Sequence, residues 1–525
     1  MGVLLGSPVP AIGDEPSAFE RYRQQMQSEF TDYRTQANRE FAAFLEREWA
    51  EFEAYKARQL YSEPKFEQMP EARPAEAIPE TRIQAERNDA PPLESLGLRR
   101  WFDRLVGRSS EPSTLPTPPA PPVTEEEAAP AAGPDEPPAP RAAADLPPVE
   151  PAPNESLASV PFLGSPIAIP YVDASAEVRL QGGIDNRSIA RFWDRLSRVD
   201  SAVTRERLHT VRAAMDLNDW GVALVVQGLA EQVFRDRPMA SRLYTWFLLN
   251  QMGYRVKVGY SDAAVFLLAP IPESLYGLPY FTLDGRSYYN LTVLQGAASP
   301  DSLYIYRGDA PTAEQDLALS LKRPPRLPDA TSGRTLRFRY GGQAYAVPMA
   351  YDRALKAFYD SYPQIGFDVL FEAPLGERTR STLVDRLAEL VADRDPVEAV
   401  NFLLRFVQTA FDYERDVTQF GGERYLFAEQ TVAYPASDCE DRVVLFSALV
   451  RQLLDLPVVG VQYPNHLAAA VHFPTAVEGD AVHYQGARFV IADPTYRNAF
   501  VGEAMPDLVG RETAILPTDA AQALD

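Results

Sequence analysis

Cys439 is the only cysteine in 525 residues, and it stands in "PASDCEDRVVLF" (435–446) between Asp438 and the pair Glu440–Asp441. A thiol reacts as its thiolate, and acidic neighbours oppose ionisation because like charges raise its pKa. To be a nucleophile the thiol needs a base within reach, and the base needs an acceptor that orients it. Two downstream residues have those properties: His466 opens the apolar run "HLAAAVHF", and Asp493 lies at equal further spacing in "IADPTY". Thiol, imidazole and carboxylate together are the equipment of acyl transfer. A plainer reading stands beside each: Cys439 as a small buried hydrophobe, and Asp493 as a turn residue before Pro494. Of the other histidines, His472 lies about 20 Å further along an extended strand than His466, so both cannot serve one thiol. His483 sits near a turn and reads as solvated; His209 is remote in sequence.

The elements around these residues must bring them together. "CEDRVVLFSALVRQLL" predicts a helix from Cys439 to about Leu454, with Ser437 or Asp438 as its N-cap. Backbone N–H groups and the helix dipole at that end favour a thiolate. His466 and Asp493 are expected at strand ends along one edge of a sheet, where the helix N-terminus packs. The Cys439 N–H is the first expected oxyanion donor, with Gln419 and Gln430 as candidates for the second. Asp438, Glu440 and Asp441 have two readings. As first-turn carboxylates they stabilise the helix end, partly neutralised by Arg442. As a cluster of oxygen ligands they would hold a hard cation such as Ca²⁺, which would relieve the anionic penalty on the thiol. No organic cofactor is expected, since no glycine loop for a nucleotide stands out.

Cysteine in "DCEDR" at a helix start, histidine at the start of a strand and aspartate in "DPTY" at a strand end resemble the transglutaminase-like superfamily of papain-type cysteine enzymes. The resemblance covers about residues 395–500. It implies nucleophile, general base and orienting carboxylate roles for Cys439, His466 and Asp493, acting on peptide or side-chain amides through a thioester. Water would resolve that thioester by hydrolysis, an amine by cross-linking. Two departures concern the oxyanion side: Ser437 stands where the family often has Gly, and no Trp precedes the cysteine, so Tyr425, Phe427 or Tyr434 is expected to substitute.

The rest of the chain sets the context. A formal charge of −22 argues against nucleic acid as a partner, and a single cysteine excludes an intramolecular disulfide framework and a multi-thiolate zinc site. No apolar run approaches a membrane span. Residues 1–16 read as an unstructured start or the remnant of a signal peptide; the former leaves a cytoplasmic protein, the latter an exported or periplasmic one. Residues 17–62 read as a helix on which Phe19, Phe30, Phe41 and Phe52 recur every eleven residues, giving one nearly straight aromatic stripe across 19–61 for self-association or docking. Residues 63–159 read as a disordered Pro/Ala/Glu-rich linker, with a short basic-aromatic helix near 93–106. Its stretch 109–155 could reach on the order of 100 Å.

The remainder reads as α+β, with a degenerate transglutaminase-like domain at 160–330 and the catalytic one at 331–525. Setting Gly259 on Gly460 also aligns Gly285 with Gly486; Phe234, closing a helix before the first copy, corresponds in role to Phe411 before the second. Cys439 then faces Pro238, His466 faces Val265 and Asp493 faces Thr292, so the first copy lacks the reactive groups. The overall expectation is a cysteine peptidase or amidase with a protein or peptide substrate. Its rivals are a cross-linking acyltransferase and a non-catalytic assembly protein.

Overall fold

The computed structural model describes residues 82–87, 146–295, 299–306, 313–464 and 466–523. The expected elements at 1–16, 17–62 and 93–106 lie outside these residues. The described chain mixes helix and sheet, as expected for α+β. Its strands are β1 (Arg82–Gln84), β2 (Glu86–Arg87), β3 (Glu155–Phe162), β4 (Ser165–Val172), β5 (Lys257–Tyr260), β6 (Val265–Pro270), β7 (Pro279–Leu283), β8 (Arg286–Asn290) and β9 (Ser302–Ile305) in the first half. The second half has β10 (Thr331–Tyr340), β11 (Gln343–Asp352), β12 (Asp412–Tyr413), β13 (Ala436–Ser437), β14 (Val458–Tyr463), β15 (His466–Val471), β16 (Ala481–Tyr484), β17 (Ala487–Ile491) and β18 (Ala514–Pro517).

Each half begins with an antiparallel hairpin, β3–β4 and β10–β11. Their two-residue turns, Leu163–Gly164 and Gly341–Gly342, have positive φ at both positions, the geometry that matches the twist of the paired strands. Each half then builds helices and an antiparallel sheet. The order β9-β5-β6-β8-β7 in the first sheet is the order β18-β14-β15-β17-β16 in the second. The glycines aligned in the sequence sit in equivalent turns, Asp284–Gly285 between β7 and β8 and Gln485–Gly486 between β16 and β17, again with positive φ throughout. Pro238 is the first residue of helix Pro238–Gln251 and Val265 the first of β6, as Cys439 and His466 are of their elements. The Thr292 hydroxyl accepts the Leu267 N–H at 2.7 Å, a structural role where the second half carries Asp493.

Residues 82–87 correct the expectation that all of 63–159 is linker, as does β3, which opens at Glu155. β1 pairs with β9 and β2 with β7, so one six-residue stretch joins both edges of the first sheet. Ile83 and Ala85 pack against Phe266, Leu268, Phe281 and Leu303 on the face this closure covers. The alternation in "RIQAER" is too brief to signal a strand by itself; the neighbouring edges, with unpaired N–H and C=O groups, impose it. In the second half the matching face is covered locally, by Met505, Leu508 and Ala521.

The Cys439–Leu454 helix runs through the core of the second half. Val443 to Val450 is buried at every position, so its apolar sequence has no solvent face to spare. Asp438 is its N-cap, and Asp455 ends it in the left-handed region at φ 53°, two residues before Pro457. The helix Pro396–Ala410 starts as its sequence dictates: the Asp395 side chain accepts the N–H groups of Val397 and Glu398, and Pro396 occupies the first turn.

Candidate active site

Cys439 begins the helix that packs along β15. His466, the first residue of β15, is buried, pairs with Tyr463 across the β14–β15 hairpin and stacks on its ring at 6.2 Å between centroids. His466 Nε2 lies 2.7 Å from Asp493 Oδ2. The other oxygen, Asp493 Oδ1, accepts the N–H groups of Thr495 and Tyr496 at 2.8 and 3.1 Å. Asp493 thus shapes the turn with one oxygen and contacts the histidine with the other. Gln408 locks this loop to the Pro396–Ala410 helix by donating to the Asp493, Tyr496 and Ala499 carbonyls. His472 lies beyond the strand, with Nδ1 2.9 Å from the Arg488 carbonyl, and His483 is exposed on β16.

The sulfur itself sits 2.9 Å from Glu440 Oε2. Burial, then the negative charge of Glu440 and Asp438, pushes the thiol well above its ordinary pKa. As arranged, the thiol is a hydrogen-bond donor to its neighbour rather than a nucleophile.

The acidic flank is buried, and it includes a carboxylate that the sequence did not mark. Oxygens of Asp416, Asp438 and Glu440 lie within 4.8 Å of one another, and these side chains are only 1%, 7% and 1% exposed. Asp438 Oδ2 accepts the Asp416 N–H at 3.3 Å and Asp416 Oδ2 the Arg424 N–H at 2.7 Å. Their remaining oxygens, Asp416 Oδ1 and Asp438 Oδ1, and Glu440 Oε1 have no hydrogen-bond partner among the described residues. Burial raises the pKa of Asp416 to about 9, with Asp441 adding to it, and raises Asp438 and Glu440 strongly as well.

Asp441 does something else. It accepts the Leu426 N–H at 2.9 Å and reaches back to the Asp438 N–H, the first-turn role of a capping carboxylate. The carboxylate oxygens that converge are thus those of Asp416, Asp438 and Glu440, and no spacing to the cysteine announces Asp416. Nor does Arg442 engage the acids by hydrogen bonding. It is buried and donates to Ser437 Oγ and to the carbonyls of Gln408 and Phe411, closing the end of the neighbouring helix.

Of the expected aromatic substitutes, Phe427 stacks on Tyr359 in the core and Tyr434 donates to Asp360. Gln430 is used on both sides, accepting from the Phe427 N–H and donating to Asp360. Tyr425 stacks on Phe367 and meets the edge of Tyr276.

No protein-family model, curated protein or solved structure matches this chain. No described helix is long and apolar enough to cross a membrane.

Proposed function

We propose that the chain is a transglutaminase-like cysteine peptidase or amidase, with one catalytic domain and one that keeps the framework without the reactive groups. The observation that carries this reading is the His466–Asp493 pair at the start of the strand against which the Cys439 helix packs. Asp493 on Nε2 fixes the ring so that Nδ1 is the nitrogen to serve the thiol. His466 takes the thiol proton, and the thiolate adds to the carbonyl carbon of a peptide or side-chain amide. The C–N bond then breaks as His466 returns the proton to the leaving amine. Water, activated by the same imidazole, hydrolyses the thioester and restores the thiol. Hydrolysis is preferred over cross-linking because water requires no second substrate site.

The reading extends to a cation. Three buried carboxylates with an unpartnered oxygen on each fit a hard divalent ion such as Ca²⁺, with Asp416, Asp438 and Glu440 as the protein ligands. Buried like charges at this separation are unfavourable without a positive charge between them. Bound there, the cation would draw Glu440 from the sulfur and lower the anionic field that keeps the thiol protonated.

The test is the rate of Cys439 alkylation by iodoacetamide against pH, with Ca²⁺ or with chelator. The expected outcome is rapid labelling near neutral pH with Ca²⁺, at least about tenfold slower with chelator, and lost in His466→Ala. Labelling that begins only above about pH 8, near the free-thiol pKa, and ignores both Ca²⁺ and His466 would point to the assembly protein instead.

A further inference from the structure

Attack on a carbonyl produces an oxyanion, and the Cys439 N–H is one donor toward it. A second donor must carry a proton, be buried at the site and be free of other partners. Tyr425 meets those terms. It is 5% exposed, and its hydroxyl is buried with no hydrogen-bond partner among the described residues. An unpaired buried hydroxyl gives up its hydrogen bonds to water without replacement, so its retention calls for a role.

The backbone on both sides of Tyr425 is bound to the acidic cluster around Cys439: the Arg424 N–H to Asp416 and the Leu426 N–H to Asp441. The ring is held by Phe367 at 4.8 Å between centroids and by Tyr276, which reaches across from the first half, at 6.1 Å. The other candidates are committed or lack a proton at the free atom. Gln430 and Tyr434 both bond Asp360, and the unpartnered atom of Gln419 is its carbonyl oxygen, an acceptor.

We propose, resting on the peptidase reading, that the Tyr425 hydroxyl is the second oxyanion donor, polarising the substrate carbonyl opposite the Cys439 N–H. Burial and the charges of Glu440 and Glu423 raise the phenol's pKa, so it keeps its proton throughout the working range. The first half contributes to this arrangement through Tyr276, on a loop joined to the second half by the Tyr276 N–H to Gln364 O and Gly366 N–H to Ser274 O bonds, each 2.9 Å.

Two reactions of one thiol separate this role from a structural one. Acylation by p-nitrophenyl acetate passes through an oxyanion; alkylation by iodoacetamide is a displacement at carbon and does not. In the full chain with Ca²⁺, Tyr425→Phe should slow single-turnover acylation by at least about tenfold, toward the hundredfold typical of losing one donor, while alkylation stays within about twofold. Acylation of Tyr425→Phe at the wild-type rate would overturn the proposal, as would equal slowing of both reactions. If Cys439→Ala releases p-nitrophenolate as fast as wild type, it is the peptidase reading that fails, and this inference with it.

Discussion

Asp416 shows what a single residue contributes that spacing does not reveal. It precedes Cys439 by a turn, a short helix and a strand, yet its backbone and side chain are tied to Asp438 and Arg424 beside the thiol. Cys439, His466 and Asp493 were legible because each occupies the end of a strongly patterned element. Asp416 sits in "ERDVTQ", a mostly polar stretch in which an acidic residue signals nothing but solvent; only the fold buries it. Replacing its carboxyl separates the two uses of the cluster. Asp416→Asn should raise stability near pH 7 in chelator, where the folded chain must otherwise keep a proton on Asp416 that the unfolded chain releases, and weaken Ca²⁺ binding by at least about tenfold, as expected for a lost anionic ligand. Calorimetric titration of Ca²⁺, with melting curves in chelator, checks both; unchanged affinity would remove Asp416 from the site.

Among the elements, the long apolar helices, the hairpins with paired positive-φ turns and the β14–β15 strands could be read because local pattern and tertiary use agree. The β1–β2 stretch could not. Its strand character comes from partners two hundred residues away, through pairing of Ile83 with Leu303 and of Glu86 with Tyr280. Glu86 reinforces the second pairing by accepting from the Thr282 and Tyr280 hydroxyls. Ile83→Asp would place a carboxylate against the apolar face formed by Phe266 and Leu303. A loss of about 2 kcal/mol is expected, from the cost of burying a polar group without a partner. Urea unfolding measures it, and faster hydrogen exchange confined to Ala85 and the β7 and β9 edges should accompany it. Wild-type stability in that variant would mean the stretch does not close the sheet.

At the scale of the whole molecule, stability is tied to pH through carboxylates the fold buries. Glu429 is 1% exposed, accepting the Gly376 N–H and the Thr379 hydroxyl, and burial raises its pKa to about 7. A raised folded-state value means that the folded chain holds the proton longer than the unfolded one. This stabilising contribution is complete below about pH 4.5 and is lost as pH rises through 7, a span on the order of 3 kcal/mol. Glu429→Gln should flatten that decline, whatever its offset at low pH; urea midpoints from pH 4.5 to 7.5 in saturating Ca²⁺ read the slope, and an unaltered slope would clear Glu429 of the effect. The matched strand order of the two halves was also legible, from glycines aligned at one offset. The closure of the first sheet by an upstream segment was not, and it has a consequence for how the chain can vary. Within residues 82–87 each side of the stretch is committed, with Ile83 and Ala85 packed on the apolar face, so one residue inserted between them would turn one of the two away from the core.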